Sequence, residues 1–288
     1  MKILLTGDQG FIGKNFKEKL TDLGHEIVGY DFAPMPPMDN DGKIIMPSLD
    51  GIDQVIHLGA EASTTAEDVE YVLNQNYQFS YDLLMMCCEA GINMQYASSA
   101  SVYGPVTPWQ EIHEGYVPRP QNLYGWSKYL FDRIVLRSID KLPIKVQGFR
   151  YFNVWGHYEN QKYEQASLFH KWVRNDPVIK VFDQSNRFYR DFVHVDDVFN
   201  LQYAMLDKEE SGIYNIGTGR STEIMGLAED ISKMTGKSIE VIEMPHELVR
   251  HYQKYTCADN TKILNATGNQ DYKFITLSDV DNDLRVLP

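Results

Sequence analysis

The first half of the chain alternates short apolar runs with longer segments of helical periodicity. The apolar runs predict five strands, at Ile3–Leu5, Ile27–Asp31, Gln54–Leu58, Asn93–Ser98 and Val146–Phe152. The segments between them predict helices at Phe11–Leu23, Val69–Ala90 and about Gln121–Ser138. Strands that alternate with helices predict an α/β fold, a doubly wound parallel sheet. Right-handed crossovers bring the strand-end loops to one edge of such a sheet.

The second half is richer in turns and has shorter elements. Strands are predicted at Val178–Phe182 and Ile239–Ile242, and an amphipathic helix at Met225–Thr235 ends at Gly236. We therefore expect a first domain at 1–152, with returning segments near 190–222 and 254–268. Residues 153–288 would form mainly a smaller α/β domain that binds the substrate.

Composition and charge exclude several classes of protein. The net charge of −13 over 288 residues disfavours nucleic-acid binding, which needs a basic footprint. No apolar run approaches the ~20 residues that span a bilayer, and no signal peptide is evident. The odd cysteine count, with Cys87 and Cys88 adjacent, predicts neither disulfides nor a metal site, and favours a reducing cytoplasmic compartment. An anionic small molecule would need local cations, for which the candidates are Lys162, His170, Arg190, Arg250 and His251.

Three glycines follow the first strand with a spacing that suits a dinucleotide. Gly7 and Gly10 let the backbone approach a pyrophosphate, Gly13 lets the helix pack closely, and the helix N-terminus faces the phosphates. Glycine also serves ordinary turns, but here Asp31 ends the next strand, where it can bind the adenosine ribose. No basic residue lies between Asp31 and Lys43, which favours NAD over NADP. The alternative for Asp31 is a plain strand-end cap.

Tyr124 and Lys128 are four residues apart on a predicted helix and therefore share a face. A tyrosine pKa of about 10 is too high for a base near neutrality, and a neighbouring ammonium would lower it. Ser99, at the end of the preceding strand, could share the substrate proton. Y-x-x-x-K is common by chance, so a solvated helix face is the alternative for this pair taken alone.

These segments, taken in order, resemble the extended short-chain dehydrogenase/reductase family. The matching pieces are Thr6–Gly13, His57–Ala60, the Ser99 segment, Tyr124-x-x-x-Lys128 and Arg150–Val154. The resemblance implies a Rossmann-type domain, a nicotinamide cofactor and a nucleotide-sugar substrate. It also implies the residues that bind the cofactor, namely Gly7, Gly10, Phe11, Ile12, Gly13, Asp31, Phe32, Leu58, Gly59, Ala60, Gln75, Asn76, Lys128 and Val154.

Within that family the chain is most similar to the ADP-L-glycero-D-manno-heptose 6-epimerases. The family's dehydratases carry an acid pair at the positions of Ala100 and Ser101, so dehydration is not expected here. The resemblance assigns Lys162 as a second proton carrier beside Ser99, Tyr124 and Lys128. It implies an ADP-sugar substrate of lipopolysaccharide synthesis, bound by Ser63, Asn153, His170, Phe182, Asp183, Gln184, Ser185, Arg190 and Tyr252.

Several alternatives stay open. The 6-epimerases use NADP, whereas the residues after Asp31 favour NAD, so the cofactor is NADP or NAD. Lys162 could be a surface lysine, Phe182 and Tyr252 could be core residues, and Arg190 could pair with a neighbouring aspartate. A nucleotide-sugar 4-epimerase or 4-keto reductase, or a redox sensor without turnover, are the competing functions. The resemblance also implies a homo-oligomer.

Overall fold

The structure is a computed structural model that describes residues 1–32, 36–40, 43–107, 109–159, 166–249 and 252–276. The chain divides into two compact units. The first consists of Met1–Ser99, Asn122–Arg150 and Asp207–Tyr214, and the second of Ala100–Gln121, Tyr151–Leu206 and Asn215–Pro288. Chain segments therefore pass between the units several times.

The first unit is built on a six-stranded sheet. Its strands are β1 (Lys2–Thr6), β2 (Glu26–Tyr30), β3 (Gln54–His57), β4 (Asn93–Ser99), β5 (Val146–Tyr151) and the later β9 (Gly212–Ile216). Their order is β2-β1-β3-β4-β5-β9, and β1 pairs in parallel with both β2 and β3, as β3 does with β4. This confirms the predicted Rossmann-type parallel sheet. The five predicted strands start and end within one or two residues of the observed ones, and β9 was not predicted.

The described residues of this unit form four α-helices. They are α1 (Phe11–Asp22), α2 (Val69–Leu73), α3 (Phe79–Ala90) and α4 (Leu123–Ser138). A π-helical segment, Asn74–Gln78, joins α2 to α3, so the predicted single helix over 69–90 carries an inserted bulge. Asn122 caps α4, since its side chain accepts a hydrogen bond from the backbone of Gly125 at 2.8 Å. The cap fixes where the helix starts, one residue before Tyr124.

The core of this unit forms where the helices cover the sheet. Leu4 and Val55 from the strands pack with Leu83 and Phe131 from the helices, all buried. Residues 43–53 form no helix between β2 and β3. They form an irregular segment instead, and its apolar side chains, Ile44, Met46 and Leu49, pack against the core.

The second unit contains two small sheets. β6 (Asn153–Trp155), β8 (Tyr189–His194) and β10 (Ser221–Glu223) form one, and β7 (Ile179–Phe182) pairs in parallel with β11 (Ile239–Ile242) in the other. The helices are α5 (Leu168–His170), α6 (Val195–Ala204), α7 (Ile224–Thr235), α8 (His246–Val249) and α9 (Thr261–Thr267).

Aromatic side chains fill the centre of the second unit. Trp155, Trp172 and Phe188 are buried together with Ile231 of α7. Gly236 ends α7 in a left-handed conformation with φ 72°, as the sequence predicted. The packed helix and sheets give the second unit an α/β architecture, and they hold β8 and the residues that follow β7.

Candidate active site

The glycine turn between β1 and α1 has no room for side chains. Gly7 has φ 72°, and a Cβ there would lie 2.6 Å from the backbone nitrogen of Gly59. A Cβ on Gly13 would lie 1.9 Å from the carbonyl oxygen of Gly7. At Gly10, the N-cap of α1, the nearest atom would be 3.3 Å away. Gly7 and Gly13 therefore require glycine, and the turn presents bare backbone at a helix N-terminus, as a pyrophosphate site needs.

Asp31 follows β2 and is tied to this turn. Its carboxylate accepts a hydrogen bond from the backbone of Gln9 at 2.9 Å. The ring of Phe32 packs edge-on against Phe79, with centroids 4.9 Å apart. Asp31 thus lies beside the turn, where an acid that binds a ribose would lie, and the ring of Phe32 packs against the core. Residues 33–35 lie outside the described part of the chain.

The other predicted cofactor residues fall into four groups. Leu58, Gly59 and Ala60 follow β3 and are partly exposed, whereas Phe11 is buried in the first turn of α1 and Ile12 is half-buried beside it. Gln75 and Asn76 are buried in the π-helical segment. Val154 lies in β6 of the second unit and is buried.

Ser99 and Tyr124 are brought together in the first unit. Ser99 ends β4, Tyr124 lies in the first turn of α4, and their side chains form a hydrogen bond. Lys128, one turn further along α4, is only 4% exposed and donates from Nζ to the carbonyl oxygen of Ala97 at 3.0 Å. The predicted trio therefore occupies the end of β4 and one face of α4.

Burial shifts the pKa values of Tyr124 and Lys128. Burial raises the pKa of Tyr124, the hydrogen bond with Ser99 opposes that effect, and the charge of Asp132 adds to it. For the protein alone the net shift of the Tyr124 pKa is therefore upward, because burial is the largest effect. The lowering by the Lys128 ammonium stays a prediction for the enzyme with its cofactor bound. Burial also lowers the pKa of Lys128, to about 8, while Asp132 partly restores it.

Asp132 is a buried residue of this site that sequence reasoning missed. It is fully buried and accepts hydrogen bonds from Tyr96 at 3.0 Å and Ser98 at 3.0 Å, and it forms an ion pair with Arg150 at 2.8 Å. Its position was signalled by spacing, because it lies four residues after Lys128 on the same face of α4. Its satisfied carboxylate places a negative charge near both titrating groups.

In the second unit an arginine stacks on an aromatic cluster. The guanidinium carbon of Arg190 lies 4.9 Å from the ring centroid of Tyr252. That ring also contacts Phe182 and Phe188, with centroids 5.7 Å and 5.0 Å apart. Arg190, Phe182 and Tyr252 thus lie together, with the Tyr252 ring in contact with both the guanidinium and the Phe182 ring. The carboxylate of Asp191 instead accepts hydrogen bonds from the Thr218 hydroxyl and from the backbone of Gly219 and Ala258.

Two predicted substrate residues carry buried nitrogens without a partner. Asn153 Nδ2 and His170 Nε2 are buried and have no hydrogen-bond partner among the described residues. Burial lowers the pKa of His170, and the charge of Arg174 lowers it further, so the imidazole is neutral near pH 7. Leaving such a group unpaired costs about 1–3 kcal/mol, which a bound polar ligand would recover.

The remaining predicted substrate residues are placed as follows. Asp183 and Gln184 follow β7, with Gln184 in a left-handed conformation at φ 74°, and Ser185 is buried next to them. Ser63, in the first unit, hydrogen-bonds Thr65 at 3.1 Å. Lys162, Arg250 and His251 lie outside the described residues.

Glu159 is a second residue that the sequence reading missed. Its side chain is buried and only 1% exposed. Its carboxylate accepts hydrogen bonds from the hydroxyl of Ser167 at 3.0 Å and from the backbone of Gly156 at 3.4 Å. It therefore links the backbone of Gly156 to Ser167.

The described residues also bear on two other possibilities, a metal centre and a membrane-spanning helix. No group of three His, Cys, Asp or Glu side chains there is arranged to hold a metal ion. Nor is any helix in that part of the chain long and apolar enough to cross a membrane.

Comparison with known proteins places these observations in context. A profile described as the NAD-dependent epimerase/dehydratase family matches residues 3–217. The ADP-L-glycero-D-manno-heptose 6-epimerase of Helicobacter pylori is 24% identical with a TM-score of 0.79, over 96% of this chain and 91% of that one. The UDP-glucose 4-epimerase of Thermotoga maritima, solved with UDP-glucose, is 24% identical with a TM-score of 0.79, over 93% of each chain. The UDP-glucuronic acid 4-epimerase of Bacillus cereus, solved with UDP-glucuronic acid and NAD, is 22% identical with a TM-score of 0.81, over 98% of this chain and 97% of that one. At these identities the structural likeness establishes the shared fold.

Proposed function

The chain belongs to the NAD-dependent epimerase/dehydratase family, and we propose that within it the protein is an epimerase of a nucleotide sugar. Family membership confirms the resemblance drawn from the sequence, the prediction of an enzyme and the prediction of a nicotinamide dinucleotide cofactor. The observation that carries the proposal is the hydrogen bond between Ser99 and Tyr124, one helical turn from Lys128.

The residues of the first unit fit the cofactor. The bare backbone of Gly7 would lie against the pyrophosphate at the start of α1, and the Asp31 carboxylate would bind the adenosine ribose. Lys128 would bind the second ribose. An acid at this position without a basic neighbour before Lys43 supports NAD rather than NADP. When bound, the nicotinamide supplies reversible hydride transfer.

Tyr124 is the proton carrier in this proposal. It removes the proton from a sugar hydroxyl while the carbon that bears this hydroxyl is oxidised to a carbonyl, and Ser99 holds the same oxygen. The raised pKa of Tyr124 keeps the phenol protonated in the protein alone, so it also suits the return step, in which the carbonyl oxygen regains a proton. Lys128 is predominantly charged at neutral pH, since its pKa is about 8, and its charge favours the phenolate during the first step.

Elimination of water is not part of the proposal. Dehydration needs an acid and a base beside Ser99, and the next two residues are Ala100 and Ser101. Ala100 is buried and has no titrating group. Oxidation and re-reduction at one carbon need a proton carrier such as Tyr124 and a hydride carrier, but no acid and base beside Ser99.

We further propose that the substrate is an ADP-linked glycero-manno-heptose that is inverted at its sixth carbon. Arg190 would bind the diphosphate as a planar cation. The unpartnered nitrogens of Asn153 and His170 would donate to substrate oxygens. Inversion needs a second proton carrier on the opposite face of the carbonyl, and we assign that role to Lys162.

A nucleotide-sugar 4-epimerase or 4-keto reductase is the competing assignment, because the two 4-epimerases described above share the same fold. The test is product analysis after incubation with ADP-D-glycero-D-manno-heptose and, separately, with UDP-glucose. We expect the L-glycero epimer from the first sugar and no change in the second. Conversion of UDP-glucose alone would support the competing assignment.

Replacing Lys162 distinguishes the 6-epimerase from the competing assignment independently. We expect Lys162→Met to lower turnover of the heptose at least a hundredfold, as loss of a general acid/base does, while the affinity for the dinucleotide stays unchanged. A matched control is Lys180→Met, which removes an exposed lysine of β7. Nearly intact turnover in Lys162→Met would contradict the 6-epimerase assignment.

A further inference from the structure

His57 is a buried histidine that the proposed chemistry does not use. It ends β3, is 1% exposed, and has a side-chain oxygen near each ring nitrogen. Nδ1 lies 2.6 Å from Thr6 Oγ1, and Nε2 lies 2.8 Å from Ser80 Oγ. Thr6 is the last residue before the glycine turn, and Ser80 lies in α3, so the imidazole joins the turn to the helix layer.

The neighbouring bonds fix which nitrogen carries the proton. Ser80 Oγ lies 2.5 Å from the carbonyl oxygen of Asn76, and this contact is favourable only if the serine donates its hydrogen there. Ser80 Oγ must then accept a hydrogen bond from His57, so Nε2 is protonated. Nδ1 is consequently the acceptor of the hydroxyl proton of Thr6. Thr6 Oγ1 in turn accepts from the backbone of Gly59 at 3.2 Å.

The imidazole stays neutral in this position. Burial lowers the pKa of His57 to about 3, and the positive charge of Lys128 contributes to that lowering. A protonated ring would have to donate at both nitrogens, and Thr6 Oγ1 could then accept only by turning its own hydrogen away. The neutral ring is therefore required for the observed chain of donors and acceptors.

The chain of hydrogen bonds continues to α4. Asn76 Nδ2 donates to Ser127 Oγ at 3.0 Å, and Ser127 Oγ donates to the carbonyl oxygen of Tyr124 at 2.7 Å. Asn76 also accepts from the backbone of Glu61 and donates to its carbonyl oxygen, at 2.8 Å and 2.9 Å. The π-helical bulge places Asn76 between the segment after β3 and the helix that carries Tyr124.

We propose that His57, as the neutral Nε2–H tautomer, is a positioning residue that fixes Gly59 and the glycine turn relative to α4. This inference rests on the proposed role of the Gly59 segment in holding the cofactor. The close fit of Gly59 against Gly7, where an added Cβ meets Gly59 N at 2.6 Å, leaves little tolerance for a shift of either backbone. Removing one of these hydrogen bonds should therefore weaken dinucleotide binding by more than the accompanying loss of stability explains.

The tautomer is tested first, without any ligand. In protein labelled with ¹⁵N-histidine, His57 is assigned among the eight histidines by the signal that disappears in His57→Gln. We expect a protonated Nε2 and an unprotonated Nδ1 at every pH from 5 to 8. A protonated Nδ1, or titration within that range, overturns the inference.

The positioning role is tested by calorimetric titration with NAD⁺. We expect Ser80→Ala and Thr6→Val each to weaken binding about tenfold, the equivalent of one lost buried hydrogen bond. Ser80→Thr keeps the hydroxyl and should bind within twofold of the wild type. Gln95→Met breaks an equally buried bond in the same unit, to Gln147 at 2.9 Å, and should lower the melting temperature with unchanged affinity.

The outcomes separate the inference from the function on which it rests. If Ser80→Ala or Thr6→Val lowers only the melting temperature, as Gln95→Met does, His57 has no positioning role. If one of the two variants does not fold, the other decides the matter. If the wild type binds neither NAD⁺ nor NADP⁺, the proposed function and the positioning role both fail, while the tautomer assignment stands on its own measurement.

Discussion

Lys128 is expected to lower the free energy of unfolding of the protein. The residue is 4% exposed, and within the described part of the chain its ammonium has one hydrogen bond, to Ala97 at 3.0 Å. Burial lowers its pKa from 10.5 to about 8. At about 1.4 kcal/mol for each tenfold change in proton affinity, the buried charge costs about 3 kcal/mol. Lys128→Met removes that cost but leaves the Ala97 carbonyl unpaired, at about 1 kcal/mol. We therefore expect a net gain of about 2 kcal/mol at pH 7.

The gain should depend on pH with a defined sign. The cost of the buried charge is fully present below pH 8, where both the folded and the unfolded protein hold the proton. Between about pH 8 and 10.5 the unfolded state binds more protons than the folded state, so the stability of the wild type rises with pH. The advantage of Lys128→Met should shrink through that window and vanish near its upper end.

The assay is urea unfolding of both proteins at pH 7, 8.5 and 9.5, with the cofactor removed. Thermal unfolding at pH 7 should show a rise of roughly 5 °C for the variant. Lys141→Met, an exposed lysine of the same unit, is the control and should change stability by less than about 0.5 kcal/mol. A variant less stable than the wild type at pH 7, or a difference independent of pH, would refute the reasoning.

Three further substitutions test separate parts of the account. Gly13→Ala places a methyl group 1.9 Å from the Gly7 carbonyl oxygen, so NAD⁺ binding should be lost or the protein should unfold. Calorimetry combined with circular dichroism distinguishes these two outcomes. Wild-type affinity for NAD⁺ would contradict the requirement for glycine. Asn122→Ala removes the cap on Gly125 and should lower the free energy of unfolding by about 1 kcal/mol in urea, and no change would show that the cap is dispensable. Tyr124→Phe should abolish turnover while NAD⁺ affinity stays within twofold, and residual turnover above a few per cent would exclude Tyr124 as the proton carrier.

The sequence predicted the parts of the fold that depend on local pattern. Apolar runs located β1 to β5, and Gly236 located the end of α7. The π-helical bulge at Asn74–Gln78 was missed, because a single inserted residue leaves the apolar periodicity of the flanking helices almost unchanged. β9 was missed because its position depends on pairing in the sheet, which is not a local property of residues 212–216.

In the candidate site, too, the sequence predicted what depends on local spacing and missed what depends on the fold. Ser99, Tyr124 and Lys128 were found because their spacing is itself the signal. Asp132 and His57 were not assigned a role, because what they do depends on buried partners from distant parts of the chain. The upward shift of the Tyr124 pKa in the protein alone was missed for a related reason, since burial is a property of the fold and not of the i, i+4 spacing.

In the proposed reaction, one carbon of a nucleotide sugar gives up a hydride to the dinucleotide and then takes the same hydride back. The most direct measurement uses ADP-D-glycero-D-manno-heptose with deuterium on the sixth carbon, followed by mass and NMR analysis of the product. We expect the inverted heptose with the deuterium retained on that carbon. Inversion with loss of the deuterium to solvent, or no inversion by protein that binds the dinucleotide, would contradict it.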